Sequence, residues 1–144
     1  MSAGNAGVPT GYSASQDLIV VSATDPNDAI YAWSSTGDDV DVAAPGCTGA
    51  STQNGGGYGS FCGTSNAAPE VAGALALVWS AKPGLSPDQA ADALFASAID
   101  LGPMGWDAAY GWGRVDMSGA VYEALTMSET TATQKNPAGK SRKP

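Results

Sequence analysis

The pattern of apolar and polar positions predicts short strands in the first part of the chain. Residues 18–21 are a continuous run of leucine, isoleucine and valine, as is typical of a strand covered on both faces in a parallel sheet. Residues 40–44 alternate between apolar and polar side chains and stop at a proline–glycine pair, which predicts another strand. Residues 30–33 are a shorter strand candidate between these two.

Three helices are predicted further along the chain. Residues 65–81 contain a nearly unbroken apolar run, residues 71–79, so we expect a central helix that is buried on all sides. A second helix follows, with Ser86 as its N-cap, a proline in its first turn and Gln89 placed to complete a capping box.

The third helix is predicted to begin at residues 115–117, with Val121 and Leu125 facing inward and Tyr122 as a further inward candidate. From residue 126 the chain is polar and ends in basic residues, so we expect residues 126–144 to be a disordered tail. Strands followed by a buried helix and two more helices indicate an α/β fold, with a mainly parallel sheet packed on the central helix. A chain of 144 residues is long enough for one such domain, over residues 1–125.

The chain is acidic, and its charge is unevenly distributed. Its net charge is −8, from 14 acidic and six basic residues. Residues 128–144 hold four of the basic residues and one glutamate, which leaves −11 on the remainder. Residues 1–127 therefore lack the patch of basic residues by which a protein binds nucleic acids. No apolar run is long enough to cross a bilayer, and the first residues do not have the pattern of a signal peptide.

The most informative chemical motif is the run Gly63-Thr64-Ser65-Asn66, where a glycine turn enters the predicted central helix. Free backbone N–H groups at a helix start, together with the positive end of the helix dipole, can stabilise an anion that forms on a bound carbonyl. A serine at a helix start is more often simply a cap, so the motif has to be weighed with its surroundings.

These surroundings resemble the serine motif of the subtilisin-like serine peptidases, the subtilases. The positions that fit the motif are Gly63, Thr64, Ser65, Ala67, Pro69, Ala72 and Gly73. Residues 2–7, 18–46 and 110–116 resemble other subtilase segments in the same order, so the resemblance covers about residues 2–125. It implies a partial subtilisin-like fold.

The resemblance also implies roles for individual residues. Ser65 would be the nucleophile, and Asn5 the side-chain donor of the oxyanion hole. Gly63, Thr64 and Asn66 would lie beside the substrate and the oxyanion. Losing one side-chain donor from such a hole lowers the rate about a hundredfold or more. Outside this context, an asparagine next to glycine is usually a turn residue.

The chain has no histidine, whereas a subtilase triad consists of Asp, His and Ser in that order. By the resemblance both missing partners precede Asn5, so the sequence looks like the C-terminal half of a catalytic domain. We expect little peptidase activity from the chain alone, since a triad enzyme without its base keeps only a residual rate. We also expect it to self-associate unless a missing N-terminal half covers its sheet edge and one helix face.

Two positions depart from the usual subtilase motif. Asn66 stands where bacterial subtilases usually carry methionine, and Glu70 where most carry histidine. Neither change removes a member of the triad, and a glutamate near a helix N-terminus suits the helix dipole.

Cys47 and Cys62 are the only cysteines, and they bracket a loop, residues 46–60, that is rich in glycine, serine and threonine. On composition alone, the three glycines at its tip, residues 55–57, predict only flexibility. If the resemblance is accepted, it implies a hairpin beside a substrate cleft. If the flanking segments pair, the sulfurs could form a disulfide, and the alternative is two buried thiols in a reducing cell. The resemblance favours the disulfide, because subtilases are mostly secreted.

The chemistry that the resemblance implies needs no cofactor, although calcium is common in subtilases as a structural ion. The acidic turns at residues 25–28 and 38–41 could contribute carboxylates to such a site, but turns of this kind are usually only solvated. We expect no complete metal site within this chain.

Three functional hypotheses follow. The first is an extracellular subtilisin-like serine endopeptidase acting on peptides or proteins, represented by its C-terminal half. The second is a non-catalytic interaction module derived from a subtilase, and the third is a weak esterase-like hydrolase. The presence of Ser65 and Asn5 favours descent from a peptidase, as in the first hypothesis. The absence of histidine favours a non-catalytic role for the chain itself, as in the second.

Overall fold

The computed structural model describes residues 1–12 and 18–127. In chain order its elements are β1 (Val20–Thr24), β2 (Val40–Pro45), β3 (Cys47–Thr52), β4 (Tyr58–Cys62), α1 (Thr64–Ala81), α2 (Pro87–Ala96) and α3 (Met117–Thr126). The α/β class is confirmed, because α1 packs against a parallel strand pair and two further helices follow.

Strands β1 and β2 form the centre of the sheet and run parallel. Every residue of β1 is buried, as the continuous apolar run predicts, but the strand begins two residues later than that run. Ser2 pairs with Val21 on the outer side of β1. The strand predicted at residues 30–33 is wrong: Ile30 makes an isolated bridge to Thr24, and the chain then turns.

Helix α1 lies on one face of this sheet. Its buried apolar side chains follow one stripe at helical spacing, Ala67, Val71, Ala74 and Val78. The opposite side is open, and Leu77 keeps 51% of its surface exposed. The expectation that this helix is buried on all sides is therefore wrong for the chain by itself.

The two later helices are capped by side chains, and α2 begins as predicted. The Ser86 hydroxyl accepts from the Gln89 backbone N–H, while the side-chain oxygen of Gln89, Oε1, accepts from the Ser86 backbone N–H. Asp116 caps α3, whose buried residues are Ala120 and Ala124. The predictions for Leu125 and Tyr122 are wrong, since small alanines pack closely here and leave these two side chains 57% and 67% exposed. Val121 is partly buried against the core.

Helix α3 ends at Thr126, and the half-buried Met127 still packs against the core. Its carbonyl accepts a hydrogen bond from the Lys82 ammonium. Helix α3 and Met127 therefore extend slightly past the predicted domain boundary at residue 125. The rest of the predicted tail, residues 128–144, lies outside the described residues. None of the described helices combines the length and hydropathy needed to cross a membrane.

Candidate active site

Ser65 is the second residue of α1, and its side chain is exposed. The turn before it depends on Gly63, whose φ of 151° is a conformation that side chains disfavour. A Cβ at Gly63 would also lie only 3.1 Å from the Asn5 side-chain nitrogen and 3.6 Å from the Ser65 backbone nitrogen. The glycine therefore leaves a space that is flanked by two hydrogen-bond donors.

Thr64 fixes the orientation of Asn5. The Asn5 carbonyl oxygen accepts from the Thr64 N–H at 2.9 Å and from the Thr64 hydroxyl at 2.8 Å. The same hydroxyl accepts from the Gly4 N–H at 3.1 Å. Because its oxygen is taken by these two donors, Asn5 turns its NH2 group towards the space beside Gly63.

The backbone N–H of Ser65 is the second donor. Within the described part of the chain it has no acceptor, as expected for a group in the first turn of a helix. Together with the Asn5 NH2 group it borders a space where the oxygen of a bound carbonyl can lie. This is the arrangement that acyl transfer requires for the oxyanion.

Asn66 turns away from this space and connects α1 to the sheet. It is buried, and its NH2 group donates to the Pro45 carbonyl at 3.1 Å and to a Glu70 carboxylate oxygen at 3.4 Å. Partial burial raises the pKa of Glu70 above its ordinary value, and the hydrogen bond from Asn66 opposes that rise. Asn66 thus holds the helix start against the end of β2.

Residues 46–60 form the hairpin that the resemblance implies, because β3 and β4 pair antiparallel and lead into the serine turn. Cys47 and Cys62 lie opposite each other, with Cα atoms 4.2 Å apart, and are joined by a disulfide. The next residue, Gly63, donates its N–H to the Gly46 carbonyl at 2.8 Å. The composition predicted flexibility, but cross-strand pairing and the disulfide order this segment.

Among the described residues, no base is found beside Ser65. The Ser65 hydroxyl makes no hydrogen bond within the described residues, and the sequence contains no histidine. Nor do the residues that the structure describes include a group of three acidic, cysteine or histidine side chains able to hold a metal ion.

The structure brings Asn5, Gly63, Thr64 and Ser65 together and places Asn66 just behind them. Sequence reasoning missed the part played by Gly4, whose N–H holds the Thr64 hydroxyl across 60 residues of sequence. It also did not anticipate that Asn66 binds the Pro45 carbonyl. Neither contact leaves a local signal, because each joins residues far apart in the chain.

A groove of about 430 Å³ lies between α1, the start of α2 and the outer side of β1. Its lining is mostly apolar and includes Ile19, Val71, Leu75 and Trp79. Asp88 is the charged side chain at its border. The chain thus leaves an apolar surface open beside the central helix.

Comparison with known proteins gives a consistent result. The model of the subtilase family matches residues 1–113. The halolysin-like extracellular serine protease Nep of Natrialba magadii is 40% identical over 111 residues, which are 76% of this chain and 20% of Nep. Subtilisin DY of Bacillus licheniformis is 40% identical over 111 residues, or 76% of this chain and 39% of that protein.

Solved structures of proteases have the same fold. A protease from Pseudoalteromonas arctica PAMC 21717 superimposes with a TM-score of 0.75 at 31% identity, covering 85% of this chain and 41% of the other. A lanthipeptide protease gives a TM-score of 0.71 at 28% identity, covering 84% and 49%. This chain therefore spans less than half the length of each of these four proteins, and by sequence and by fold it belongs to the subtilase family.

Proposed function

We propose that this chain is the nucleophile-bearing part of an extracellular serine endopeptidase that cleaves peptides or proteins. The observation that carries the proposal is the pair of donors beside Gly63, the Asn5 NH2 group and the Ser65 N–H. Nep is named an extracellular serine protease, and Epr of Bacillus subtilis an extracellular protease. A disulfide next to the site is also typical of an oxidising compartment.

In the proposed reaction, the Ser65 hydroxyl attacks the peptide carbonyl, and its proton passes to a base. The carbonyl oxygen gains negative charge, which is stabilised by two donors that are already positioned before the reaction. The C–N bond then breaks, the amine leaves with the proton that the base returns, and water later hydrolyses the acyl-enzyme. None of this chain's described side chains hydrogen-bonds to the Ser65 hydroxyl to serve as that base. We therefore infer that an aspartate and a histidine come from another polypeptide segment.

The apolar groove beside α1 supports this inference. Covering its apolar side chains with another segment would lower the free energy, because it removes them from water. The lining also has little charge with which to bind a polar partner. A segment that carries the two missing triad residues would cover it and complete the site. Without such a segment we expect the chain to self-associate through this surface.

Chemical rescue can test the role of the site in this chain alone. Ser65 is exposed, so a small base such as imidazole can reach its hydroxyl. We expect imidazole to accelerate labelling of Ser65 by a fluorophosphonate probe, and Ser65→Ala to abolish the labelling. Asn5→Asp is the matched variant, because it keeps the oxygen that accepts from Thr64 but replaces the donor group. It should label about a hundredfold more slowly.

A non-catalytic interaction module is the second candidate, and the unpartnered Ser65 hydroxyl favours it. In that case imidazole would leave labelling unchanged, and Asn5→Asp would react like the parent chain. Esterase-like activity without a triad is the third hypothesis. It predicts hydrolysis of an activated ester without imidazole, at a rate that depends on both Ser65 and Asn5.

A further inference from the structure

The hairpin of β3 and β4 is weakly held by side-chain packing. All of β4 is exposed or half-exposed, and Tyr58 keeps 77% of its surface in contact with solvent. The tip contains three consecutive glycines with positive φ, residues 55–57, and a Cβ at any of them would meet no other atom. The hairpin therefore depends on its cross-strand pairing and on the disulfide at its base.

The two ends of the hairpin are attached differently. Gly46, before β3, is fixed in the core: its N–H donates to the Thr24 carbonyl at 2.8 Å, and the Ala23 and Trp33 side chains pack closely around it. Gly63, after β4, donates its N–H to the Gly46 carbonyl, and its own carbonyl accepts from the Asn66 N–H at 2.9 Å in the first turn of α1. Gly63 is also the residue that borders both oxyanion donors.

We propose that the Cys47–Cys62 disulfide is a positioning element for the oxyanion site, so that a dithiol reductant loosens the Gly63 turn and Asn5 while the sheet stays folded. The disulfide joins the fixed end of the hairpin to the residue that immediately precedes Gly63. The consequence for catalysis rests on the proposed function, whereas the structural effect does not.

The reduction is a balanced two-step exchange. One thiolate of the dithiol attacks a sulfur of the pair, which forms a mixed disulfide and releases the other cysteine as a thiolate that takes up a proton. The second thiol of the reagent then closes its own disulfide and releases the remaining cysteine. The protein gains two electrons and two protons, and the dithiol is oxidised. Cys62 is exposed, so the reagent can reach it.

Amide hydrogen exchange and NMR of the same chain, oxidised and reduced by dithiothreitol, test the proposal without any measurement of activity. Closing a loop of this length shifts an opening equilibrium by about a hundredfold. We expect protection of the Gly63 and Thr64 amides to fall by about that factor on reduction. The Asn5 side-chain NH2 signals should shift, and protection of Val42 and Val78 in the core should remain.

Two variants serve as controls. Cys47→Ala/Cys62→Ala should reproduce the reduced behaviour in buffer without reductant and should not respond to dithiothreitol. Leu94→Ala, in a fully buried position of α2 away from the hairpin, should lower protection throughout the core without a selective effect at Gly63 and Asn5. This comparison separates a positioning effect from general destabilisation.

Several results would overturn the proposal. If reduction frees only the hairpin amides and leaves Gly63 and Asn5 unchanged, the disulfide merely closes the hairpin. If the core loses protection together with Gly63, the disulfide stabilises the whole fold. An oxidised chain without protected amides would remove the premise of an ordered turn. Failed imidazole rescue with the expected exchange pattern would reject the proposed function and leave this positioning role standing.

Discussion

The hydroxyl of Thr64 joins the two segments of the proposed oxyanion site, and replacing Thr64 by valine measures its contribution to stability. The side chain is completely buried, and valine has nearly the same shape. The change removes the 2.8 Å hydrogen bond to Asn5 and leaves the Gly4 N–H without its acceptor. Both hydrogen bonds are part-buried, and each contributes about 1 kcal/mol, so we expect the free energy of unfolding to fall by about 2 kcal/mol.

Thr64→Ser is the matched control, because it keeps the hydroxyl and removes one buried methyl group. That loss should lower the free energy of unfolding by about 1 kcal/mol. Urea unfolding of the three proteins, extrapolated linearly to water, gives both differences. The order of stability should be threonine, then serine, then valine, although valine is the more apolar of the two replacements.

The Asn5 side-chain NH2 signals in a ¹⁵N-correlated NMR spectrum give an independent readout. They should remain near their parental positions in the serine variant and move in the valine variant, because Asn5 then keeps only the Thr64 N–H as a donor to its oxygen. A valine variant as stable as the serine variant, with unchanged Asn5 signals, would refute the assignment of Thr64 as the link between the two segments.

Three further predictions concern other parts of the molecule. Asp116→Ala removes the cap of α3 and should lower the free energy of unfolding at pH 7 by about 1 kcal/mol in urea titrations. Hydrogen bonds from the Gly119 N–H and the Ser118 hydroxyl lower the pKa of Asp116. Its contribution to stability should therefore be present above pH 3.8 and be lost as the pH falls through the lower folded value; an unchanged stability difference at pH 2 would contradict this. Burial raises the pKa of Glu70, so the folded chain should lose stability as the pH rises from about 4.5 through the raised value. In Glu70→Gln, the melting temperature measured between pH 4 and 8 should not show this decrease. If the parent chain and the variant depend on pH in the same way, Glu70 is not the cause. Ala72→Lys, at an exposed position of α1 that lines the apolar groove, should reduce self-association in light scattering while changing stability by no more than about 0.5 kcal/mol; an unchanged molar mass would exclude the groove as the contact.

The helices were predictable because their signals are local. The capping box of Ser86 and Gln89 lies within four consecutive residues and was found where the sequence indicated it. The stripe of α1 was less predictable, since a run of apolar residues does not reveal which side a neighbouring segment covers. The inward positions of α3 were misread because the small Ala120 and Ala124, and not Leu125, face the core.

The candidate site was predictable only in part. Ser65 and Asn5 were identified through the family resemblance, since neither residue type at such a position indicates catalysis by itself. Their geometry depends on Thr64 and Gly4, which meet through long-range contacts that no local pattern encodes. The hairpin was hidden for a related reason, because its composition is that of a loop and its order comes from pairing and from the disulfide.

The sequence separation between Asn5 and Thr64, 59 residues, has a consequence for the order of events during folding. Closing so long a loop is entropically unfavourable until other long-range contacts, such as the parallel pairing of β1 and β2, have brought the ends together. We therefore expect the Thr64 amide to be among the last to become protected in pulse-labelled refolding, and early protection would contradict this sequence of steps. A chain that is still being synthesised, or one that is caught half-folded, would then carry an exposed serine with no means of stabilising an oxyanion.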